Sequence, residues 1–385
     1  MKGDKFGKNT YGISSKYKRR KNNKRLRNRI IIVATGVLAL AVLAVGITLL
    51  VNLISSGISQ LGANEPTTAP VTTVPATEPT TADPYPKPIV QDNNSKITTV
   101  DDIYVWQGKA FEKFTGTQES AVNYAKTVSE LKTALGDGVT VYNMVIPTAV
   151  EFGLPDRLKQ QIATVSQADY IKKVYSSYTA DVKSVNCYAN LSAGANEYIF
   201  YNTDDLWTSL GAYKAYLSFA DLASLKPVRL EDCTKKTIKD YSGVFANNYD
   251  FEELSKNLDT IDYYELKNKT SAYIINSDGE KENASVYDSE ATNESVFLGG
   301  SNPLFVMKSD CKTGKKLAVV KEYYGNTFTP YLAANYDETH VIDYRKWSGS
   351  LKDYCKQNGI TDVLILNSTK FACDAERLAQ LKAIK

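Results

Sequence analysis

An uncharged run near the start divides the chain into two parts that must fold separately. Residues 30–51 are 22 consecutive residues without a charge, and Thr35 and Thr48 are their only polar side chains. A helix rises about 1.5 Å per residue, so this run spans roughly 33 Å, the thickness of a bilayer core. We therefore predict one transmembrane helix over residues 30–54.

The charges on either side of the run predict its orientation. Residues 1–29 hold 12 lysines or arginines and one acidic residue, whereas the first charge beyond the run is Glu65. Basic residues stay on the cytoplasmic side of a membrane. Residues 1–29 are therefore predicted to be a cytoplasmic basic segment, and the C-terminal part to be extracellular. A cleaved signal peptide is the alternative, because Ala39-Leu40-Ala41 has the small-x-small form, although this triplet lies inside the apolar run.

Residues 55–95 are predicted to be a stalk. Within them, residues 65–88 contain seven prolines and seven threonines in 24 positions. Such a composition favours an extended chain over a packed core, and at about 3.1 Å per residue it reaches roughly 75 Å. That reach suits a bacterial cell wall. We predict a single-pass protein of the cell membrane whose extracellular domain covers residues 96–385.

The rest of the chain excludes several chemistries. After the basic segment, 34 basic and 42 acidic residues give a formal charge of −8, which argues against nucleic acid as a partner. His340 is the only histidine, so a Ser-His or Cys-His mechanism has one candidate base, and a two-histidine metal site cannot form within one chain. The five cysteines contain no CxxC pair, and both buried free thiols and up to two disulfides remain open. No metal and no cofactor is predicted.

Apolar spacing predicts an α/β domain. Residues 118–135 repeat apolar side chains at helical intervals, and residues 139–147 are a short apolar run bounded by turn residues, as in a buried strand. Thr208 is the predicted cap of a helix at 209–222. The further predicted elements are helices at 169–178, 327–336, 349–357 and 376–384, and strands at 182–188, 197–203, 316–321, 340–343 and 362–367.

The order of these elements predicts where ligands bind. Strands alternate with helices toward the C-terminus, which is typical of a parallel sheet covered by helices on both faces, with ligands at the carboxyl ends of its strands. Asn202-Thr203-Asp204 and Glu322-Tyr323-Tyr324 are the two predicted strand ends of interest. Residues 245–295 interrupt the order, and the Ser277-Asp278-Gly279 turn between two apolar runs predicts a β-hairpin insertion there.

Several separated motifs occur in an order that resembles a known family. They are Val145-Ile146-Pro147-Thr148, Asp204-Asp205-Leu206-Trp207, Leu298-Gly299-Gly300-Ser301-Asn302-Pro303, Lys321-Glu322-Tyr323-Tyr324-Gly325-Asn326, and the runs 340–345 and 358–367. In this order the sequence resembles the bacterial extracytoplasmic DHHW family, named after an Asp-His-His-Trp motif, over nearly the whole predicted extracellular domain. The resemblance implies a permuted SGNH-hydrolase-like α/β fold.

The resemblance also implies that a reaction has been lost. The DHHW family is similar to the alginate-type O-acetyltransferases, in which an Asp-x-His pair and a later serine form a triad for acyl transfer to an extracellular polysaccharide. Carried over residue by residue, the aspartate is Asp204 and the second motif position is Asp205, whereas the histidine position holds Leu206 and the serine position holds Tyr323. Leucine cannot accept a proton, and a tyrosine without an activating base is a poor nucleophile at neutral pH.

Structural explanations remain open for several motif residues. Asp204 is placed to cap the helix that follows it, Trp207 to pack that helix against the sheet, and Glu322 to be a solvated carboxylate at a strand end. His340 falls where the family pattern has no catalytic residue, and we expect it to be structural and partly exposed. The candidates for ligand binding are Asp204, Trp207, Asn302, Glu322, Tyr323 and Asn326.

Three functional hypotheses follow. The first is a noncatalytic module that binds a cell-envelope polysaccharide or a membrane-bound O-acyltransferase. The second is O-acyl transfer or ester hydrolysis on an envelope polysaccharide, with Asp204, Glu322 and Tyr323 rebuilt into an unfamiliar site. The third is a structural envelope protein whose cleft holds no ligand. The loss of both the base and the nucleophile favours the first.

Overall fold

The computed structural model describes residues 82–385. The predicted cytoplasmic segment at 1–29, the predicted transmembrane helix at 30–54 and residues 55–81 of the predicted stalk lie outside them. Within residues 82–385, no helix is long and apolar enough to cross a membrane.

The described residues contain thirteen strands. In chain order these are β1 (Thr98–Val100), β2 (Ile103–Trp106), β3 (Lys109–Glu112), β4 (Thr140–Ile146), β5 (Val182–Ser184), β6 (Thr234–Tyr241), β7 (Asp259–Glu265), β8 (Thr270–Ile275), β9 (Lys281–Ala284), β10 (Leu304–Ser309), β11 (Lys316–Lys321), β12 (Glu338–Asp343) and β13 (Asp362–Ser368).

The same residues contain twelve α-helices. In chain order these are α1 (Gln118–Leu135), α2 (Ala149–Gly153), α3 (Asp156–Gln161), α4 (Gln167–Ser176), α5 (Tyr188–Ala193), α6 (Ser209–Leu222), α7 (Val244–Asn248), α8 (Glu252–Ser255), α9 (Tyr324–Phe328), α10 (Leu351–Asn358), α11 (Thr369–Ala372) and α12 (Ala375–Ala383). Short 3₁₀ helices cover Leu230–Asp232, Glu294–Val296 and Thr329–Ala334.

Eight strands form one central sheet in the order β5-β4-β13-β11-β12-β10-β8-β9. The first five are parallel. Their apolar residues, such as Val319 and Leu364, are fully buried, as expected for a parallel sheet covered on both faces. β10, β8 and β9 extend the sheet through antiparallel pairs. Two smaller antiparallel sheets consist of β1-β2-β3 and β6-β7.

Two neighbouring residues of β4 show that helices cover both faces of the central sheet. Successive side chains of a strand point to opposite faces. Asn143 donates a hydrogen bond from Nδ2 to the Tyr124 hydroxyl on α1 at 2.9 Å, whereas the ring of Tyr142 contacts Phe219 of α6 with 5.3 Å between ring centroids. α1 and α6 therefore lie on opposite faces, and the predicted sheet between two helical layers is confirmed.

Most predicted elements are confirmed, with small shifts of their ends. The helices predicted at 118–135 and 209–222 are α1 and α6 with the same bounds, and the Thr208 side chain accepts the Gly211 N–H as the predicted cap. The predicted hairpin is β8 and β9, joined antiparallel. It is not a separate insertion, because β8 also pairs with β10 and so belongs to the central sheet.

The strand predicted at 197–203 is wrong. The segment makes a single isolated bridge, between Phe200 and Trp207, and no ladder. Two of its backbone donors are satisfied by a side chain instead, because the Asp259 carboxylate accepts the N–H of Asn202 at 2.8 Å and the N–H of Thr203 at 2.7 Å. A segment whose N–H groups are already bonded in this way has no need of a neighbouring strand.

Two other predicted elements have different ends. The strand predicted at 182–188 stops at Ser184, because the Asn186 side chain accepts the Tyr188 N–H at 3.0 Å and turns the chain into α5. The helix predicted at 327–336 begins earlier, at Tyr324, and tightens into a 3₁₀ helix around Pro330, which has no N–H to donate.

The described end of the predicted stalk lies on the domain. The carbonyl oxygens of Pro84 and Pro86 accept hydrogen bonds from the side chains of Asn186 and Ser192, at 3.0 and 2.7 Å. Further along, Asp92 pairs with both Nε and Nη2 of Arg157, at 2.8 and 2.9 Å. Residues 84–92 are therefore bonded to the domain surface along their length and do not extend away from it.

Candidate functional site

A cleft of about 470 Å³ opens at the carboxyl ends of three parallel strands of the central sheet. Thr148 follows β4, Glu322 follows β11 and Ser368 ends β13, and all three residues line the cleft. The small β1-β2-β3 sheet forms another wall of the cleft, to which β2 contributes Tyr104 and β3 contributes Phe111. The cleft thus lies at the position where parallel sheets bind their ligands.

The loop before α6 brings Asp204, Asp205 and Leu206 to this cleft. The Asp259 carboxylate fixes Asn202 and Thr203, the two residues before this motif, by accepting their N–H groups. Gly243 packs so closely against the loop that a Cβ at this position would lie 2.4 Å from the Thr203 carbonyl oxygen. The residues immediately before the motif are therefore fixed by Asp259 and Gly243, although the motif lies outside regular secondary structure.

Asp204 shares a tyrosine hydroxyl with Glu294. Its Oδ2 accepts hydrogen bonds from the Tyr241 hydroxyl and the Val244 N–H, both at 2.7 Å, and its Oδ1 accepts the Leu206 N–H at 3.2 Å. The same Tyr241 hydroxyl contacts Glu294 Oε1. A tyrosine hydroxyl has one proton and can donate it to only one carboxylate. The second carboxyl must itself carry a proton to take part in this contact.

Burial and mutual repulsion favour that extra proton. The pKa of Asp204 is raised, first by burial and then by the negative charge of Asp205, and the pKa of Glu294 is raised by burial and by Asp204. The interpretation of Asp204 as the cap of α6 is wrong, because Thr208 fills that position. Asp204 instead accepts the first N–H of α7.

Lys370 is held between two carboxylates of the cleft. Its Nζ lies 3.0 Å from Asp205 Oδ2 and 2.5 Å from Glu112 Oε2. Burial opposes the charge of Lys370, but the two carboxylates outweigh it and raise the pKa of this lysine. Lys370 is therefore a fixed cation in the cleft and not a proton acceptor.

Glu322 is a fully buried carboxyl that lines the cleft. Its Oε1 accepts the Ser368 N–H at 2.9 Å and its Oε2 accepts the Tyr324 N–H at 3.1 Å. Burial raises the pKa of Glu322 to about 7, although the two N–H groups act in the opposite direction. The interpretation of Glu322 as a solvated carboxylate is wrong, because backbone donors fix it where β11 and β13 end.

Tyr323, which the family resemblance assigns to the serine position, is partly open to the same cleft. The guanidinium carbon of Arg345 lies 3.6 Å from the centroid of its ring, and Phe371 contacts the ring edge-on with 6.1 Å between centroids. Neither neighbour accepts a proton. These contacts therefore fix the ring and do not activate its hydroxyl.

Asn326 belongs to a buried ion network and does not line the cleft. Lys321 Nζ donates to Asn326 Oδ1 at 2.6 Å and lies 3.4 Å from Asp343 Oδ2, while Arg345 Nε donates to Asp343 Oδ1 at 2.7 Å. Burial lowers the pKa of Lys321 to about 8, with Asp343 acting against it. Burial alone would raise the pKa of Asp343, but Arg345 and Lys321 outweigh it and hold that pKa below its ordinary value.

Two further motif candidates lie away from the cleft. Trp207 is fully buried against Tyr324 and Phe328, so it is a packing residue, but these partners belong to helix α9 and not to the sheet. Asn302 donates to the Leu298 carbonyl at 3.1 Å and lines a separate groove near β8 and β9. The structure therefore brings Asp204, Glu322 and Tyr323 together, and it leaves Trp207, Asn302 and Asn326 outside the cleft.

His340 is buried on β12, with Nδ1 2.8 Å from the Tyr354 hydroxyl. The expectation that it is partly exposed is wrong, since helix α10 covers it through Tyr354. All five cysteines are free thiols. One of them, Cys373, lines the cleft, and burial raises its pKa to about 11. Within residues 82–385, no group of His, Cys, Asp or Glu is arranged to hold a metal ion.

Sequence reasoning missed four residues of the site: Tyr241, Glu294, Arg345 and Lys370. The last two come shortly after the strands predicted at 340–343 and 362–367, so the strand-end rule that selected Glu322 would also have selected them. Tyr241 and Glu294 are 53 positions apart. No local pattern relates them to each other or to Asp204.

The model of a family described as DHHW protein matches residues 75–342. The chain belongs to the DHHW family. The motif order that suggested this family is thereby confirmed. No curated protein sequence matches the chain.

Solved structures with a similar fold include another DHHW family protein. A DHHW family protein from Eubacterium siraeum is 27% identical with a TM-score of 0.69, and the match covers 75% of this chain and 97% of that chain. PatB1 of Bacillus cereus is 18% identical with a TM-score of 0.60, and the match covers 76% of this chain and 100% of PatB1. The O-acetyltransferase domain of Pseudomonas putida AlgJ is 13% identical with a TM-score of 0.42, covering 75% and 99%. The mixed α/β fold of this DHHW protein is similar to the first two.

Proposed function

We propose that this DHHW protein is a noncatalytic, membrane-anchored module of the bacterial cell envelope that binds a polysaccharide in its cleft. The observation that carries the proposal is that the cleft is open and is lined by Leu206 and Tyr323, the residues that the family resemblance assigns to the base and nucleophile positions. The resemblance to alginate-type O-acetyltransferases supports a permuted SGNH-hydrolase-like domain and a polysaccharide as the ligand.

The size and lining of the cleft suit sugars. Ligand pockets usually hold some 300–1,000 Å³, with aromatic walls and a few polar groups that fix orientation. This cleft, at about 470 Å³, combines the partly exposed rings of Tyr104, Tyr323 and Phe371 with the partly exposed carboxylates of Glu112 and Asp205. Rings pack against the apolar faces of a pyranose, and carboxylates accept hydrogen bonds from its hydroxyls.

The charge of the lining narrows the class of glycan. Carboxylates outnumber cations, and the cation Lys370 is already paired with two of them. An anionic polymer such as a uronate would meet like charge there, so we propose a glycan that is neutral or carries amines. The charged residues of the lining are Asp101, Asp102, Glu112, Asp204, Asp205, Glu322, Lys113 and Lys370.

Binding is tested with the purified full-length chain and solubilised wall glycans separated by charge. We expect the neutral or amine-bearing fraction to bind with micromolar affinity in calorimetry and the anionic fraction to bind at least tenfold more weakly. Ala149→Trp, which fills the cleft, should abolish binding. Ala284→Trp is the matched control, because Ala284 is also a partly exposed alanine but lines a separate groove.

Each other outcome changes the proposal. If no glycan fraction binds, the polysaccharide proposal fails, and co-purification of a membrane-bound O-acyltransferase would then separate partner binding from a structural role without a ligand. If Ala149→Trp binds as well as the wild type, the glycan site lies elsewhere. The enzyme alternative is favoured by one observation, the buried Glu322 whose pKa is about 7.

Membrane anchoring is proposed from the sequence of residues 1–54. Protease added to intact cells after wall removal should release a fragment that begins within about residues 55–83, because the Pro/Thr-rich sequence predicts a stalk there and unpacked segments are the preferred sites of cleavage. Cleavage should stop before Pro84, where the chain is bonded to the domain. Mass spectrometry of the fragment locates its first residue. Complete protection from external protease would contradict the predicted orientation.

A further inference from the structure

We propose that Tyr323 is the platform on which a sugar ring of the glycan stacks, and that Arg345 positions it. This inference rests on the proposed function, because it names the residue that sets the affinity of the cleft for its glycan. In this proposal, the residue that the resemblance assigns to the serine position, Tyr323, binds the glycan through its aromatic surface instead of acting as a nucleophile.

The exposure of Tyr323 carries the first step. It is 46% exposed, and every other aromatic side chain in residues 82–385 is less exposed. More of the apolar surface of this ring is therefore left in contact with water than in the other aromatic residues. The ring lies inside a concave cleft and not on a convex surface. An exposed aromatic side chain at such a place is typical of a binding site.

The second step is that the exposed ring is not free to move. Arg345 lies over the ring at 3.6 Å from its centroid, and the ring of Phe371 packs perpendicular to it with 6.1 Å between centroids. The Arg345 guanidinium is itself fixed by two hydrogen bonds to Asp343, which is fully buried. Asp343 is held in turn by Lys321. Buried ion pairs among Lys321, Asp343 and Arg345 therefore hold the guanidinium in place over the exposed Tyr323 ring.

The third step concerns the cost of binding. A side chain that is ordered before the ligand arrives loses little rotamer freedom on binding, so more of the contact energy appears as affinity. The planar guanidinium suits this task because it stacks on a ring while its fork stays bonded to a carboxylate. Arg345 is therefore a positioning residue, and it acts through Tyr323.

Two substitutions test the role of the ring: one removes the whole ring, and the other removes only its hydroxyl. Tyr323→Ala should weaken binding of the retained wall-glycan fraction by about tenfold or more, whereas Tyr323→Phe should stay within about twofold of the wild type, because it keeps the stacking surface. Tyr273→Ala is the matched control. Lys281 Nζ lies 3.7 Å from the Tyr273 ring centroid, and this pair is on β8 and β9, away from the cleft.

The positioning role is tested by a double-mutant cycle in the full-length chain. Arg345→Lys keeps the positive charge and loses the planar fork, and it should weaken binding by about threefold. In the Tyr323→Ala background the same change should have no further effect, because the ring through which it acts is gone. A merely structural role for Arg345 would weaken binding equally in both backgrounds. Melting temperatures identify any variant that fails to fold.

The outcomes separate this inference from the proposed function. If the wild type retains no glycan, the proposed function fails and the platform fails with it. If the wild type binds and Tyr323→Ala binds equally well, the cleft is a glycan site but Tyr323 is not its platform. If Tyr323→Phe is as weak as Tyr323→Ala, the hydroxyl carries the contact and stacking is rejected.

Discussion

The purified full-length protein should not react with a fluorophosphonate probe, and it should not hydrolyse an activated acetyl ester faster than a Leu206→Ala, Tyr323→Phe variant. Leu206 has no atom that accepts a proton, and the neighbours of the Tyr323 ring are Arg345 and Phe371, which do not accept one either. Loss of a single triad member lowers turnover by roughly 10⁴- to 10⁶-fold, and the losses are not additive because the residues act as a unit. Gel labelling and ester release measure both activities.

If turnover does appear, three variants identify the residue responsible for it. Glu322 and Asp204 are both cleft carboxyls whose pKa, about 7, suits a general base, and Glu322 directly precedes Tyr323. Turnover abolished by Tyr323→Phe and by Glu322→Gln would establish a tyrosine-based site and reject the noncatalytic proposal. Turnover abolished by His340→Gln would contradict the placement of the histidine on β12, away from the cleft.

The fold was predictable where local pattern and tertiary environment agree. β11 and β13 are continuous apolar runs because both faces of a parallel sheet are covered, and α1 repeats its apolar side at helical spacing. Prediction failed at 197–203, which has the apolar and aromatic residues of a strand. A carboxylate from Asp259, more than 50 positions away, takes the N–H groups that a strand would offer. No local pattern reports such a partner.

The site was predictable in the same uneven way. The motif match and the strand-end rule selected Asp204, Glu322 and Tyr323, which line the cleft. A motif match cannot separate residues that line a cleft from residues that support it, so it also selected Trp207 and Asn326, which are buried behind other contacts. The partners that determine the chemistry of Asp204 come from distant segments and emerge only from the fold.

Those partners should make the stability of the domain depend on pH. Asp204 and Glu294 both contact the Tyr241 hydroxyl, and both have raised pKa values in the folded protein, because both are buried and each faces another carboxylate, Asp205 for Asp204 and Asp204 for Glu294. In the unfolded chain both return to ordinary values near about 4. Above that pH the folded state keeps protons that the unfolded state has released. Stability is therefore full at acidic pH and is lost as the pH rises through the raised pKa values.

Glu294→Gln should flatten this dependence. Glutamine keeps an oxygen that accepts from the Tyr241 hydroxyl, but it cannot ionise, so the contribution of the raised Glu294 pKa to the pH dependence disappears. Urea unfolding should show that the loss of unfolding free energy between about pH 5 and pH 9 is smaller than in the wild type by about 2 kcal/mol. Glu290→Gln, the same change at an exposed residue nearby, should leave the loss unchanged. Glu322 is present in all three proteins, so its own raised pKa cancels in the comparison. An equal loss in Glu294→Gln and the wild type would mean that Tyr241 bridges two ionised carboxylates and that no proton is shared between them.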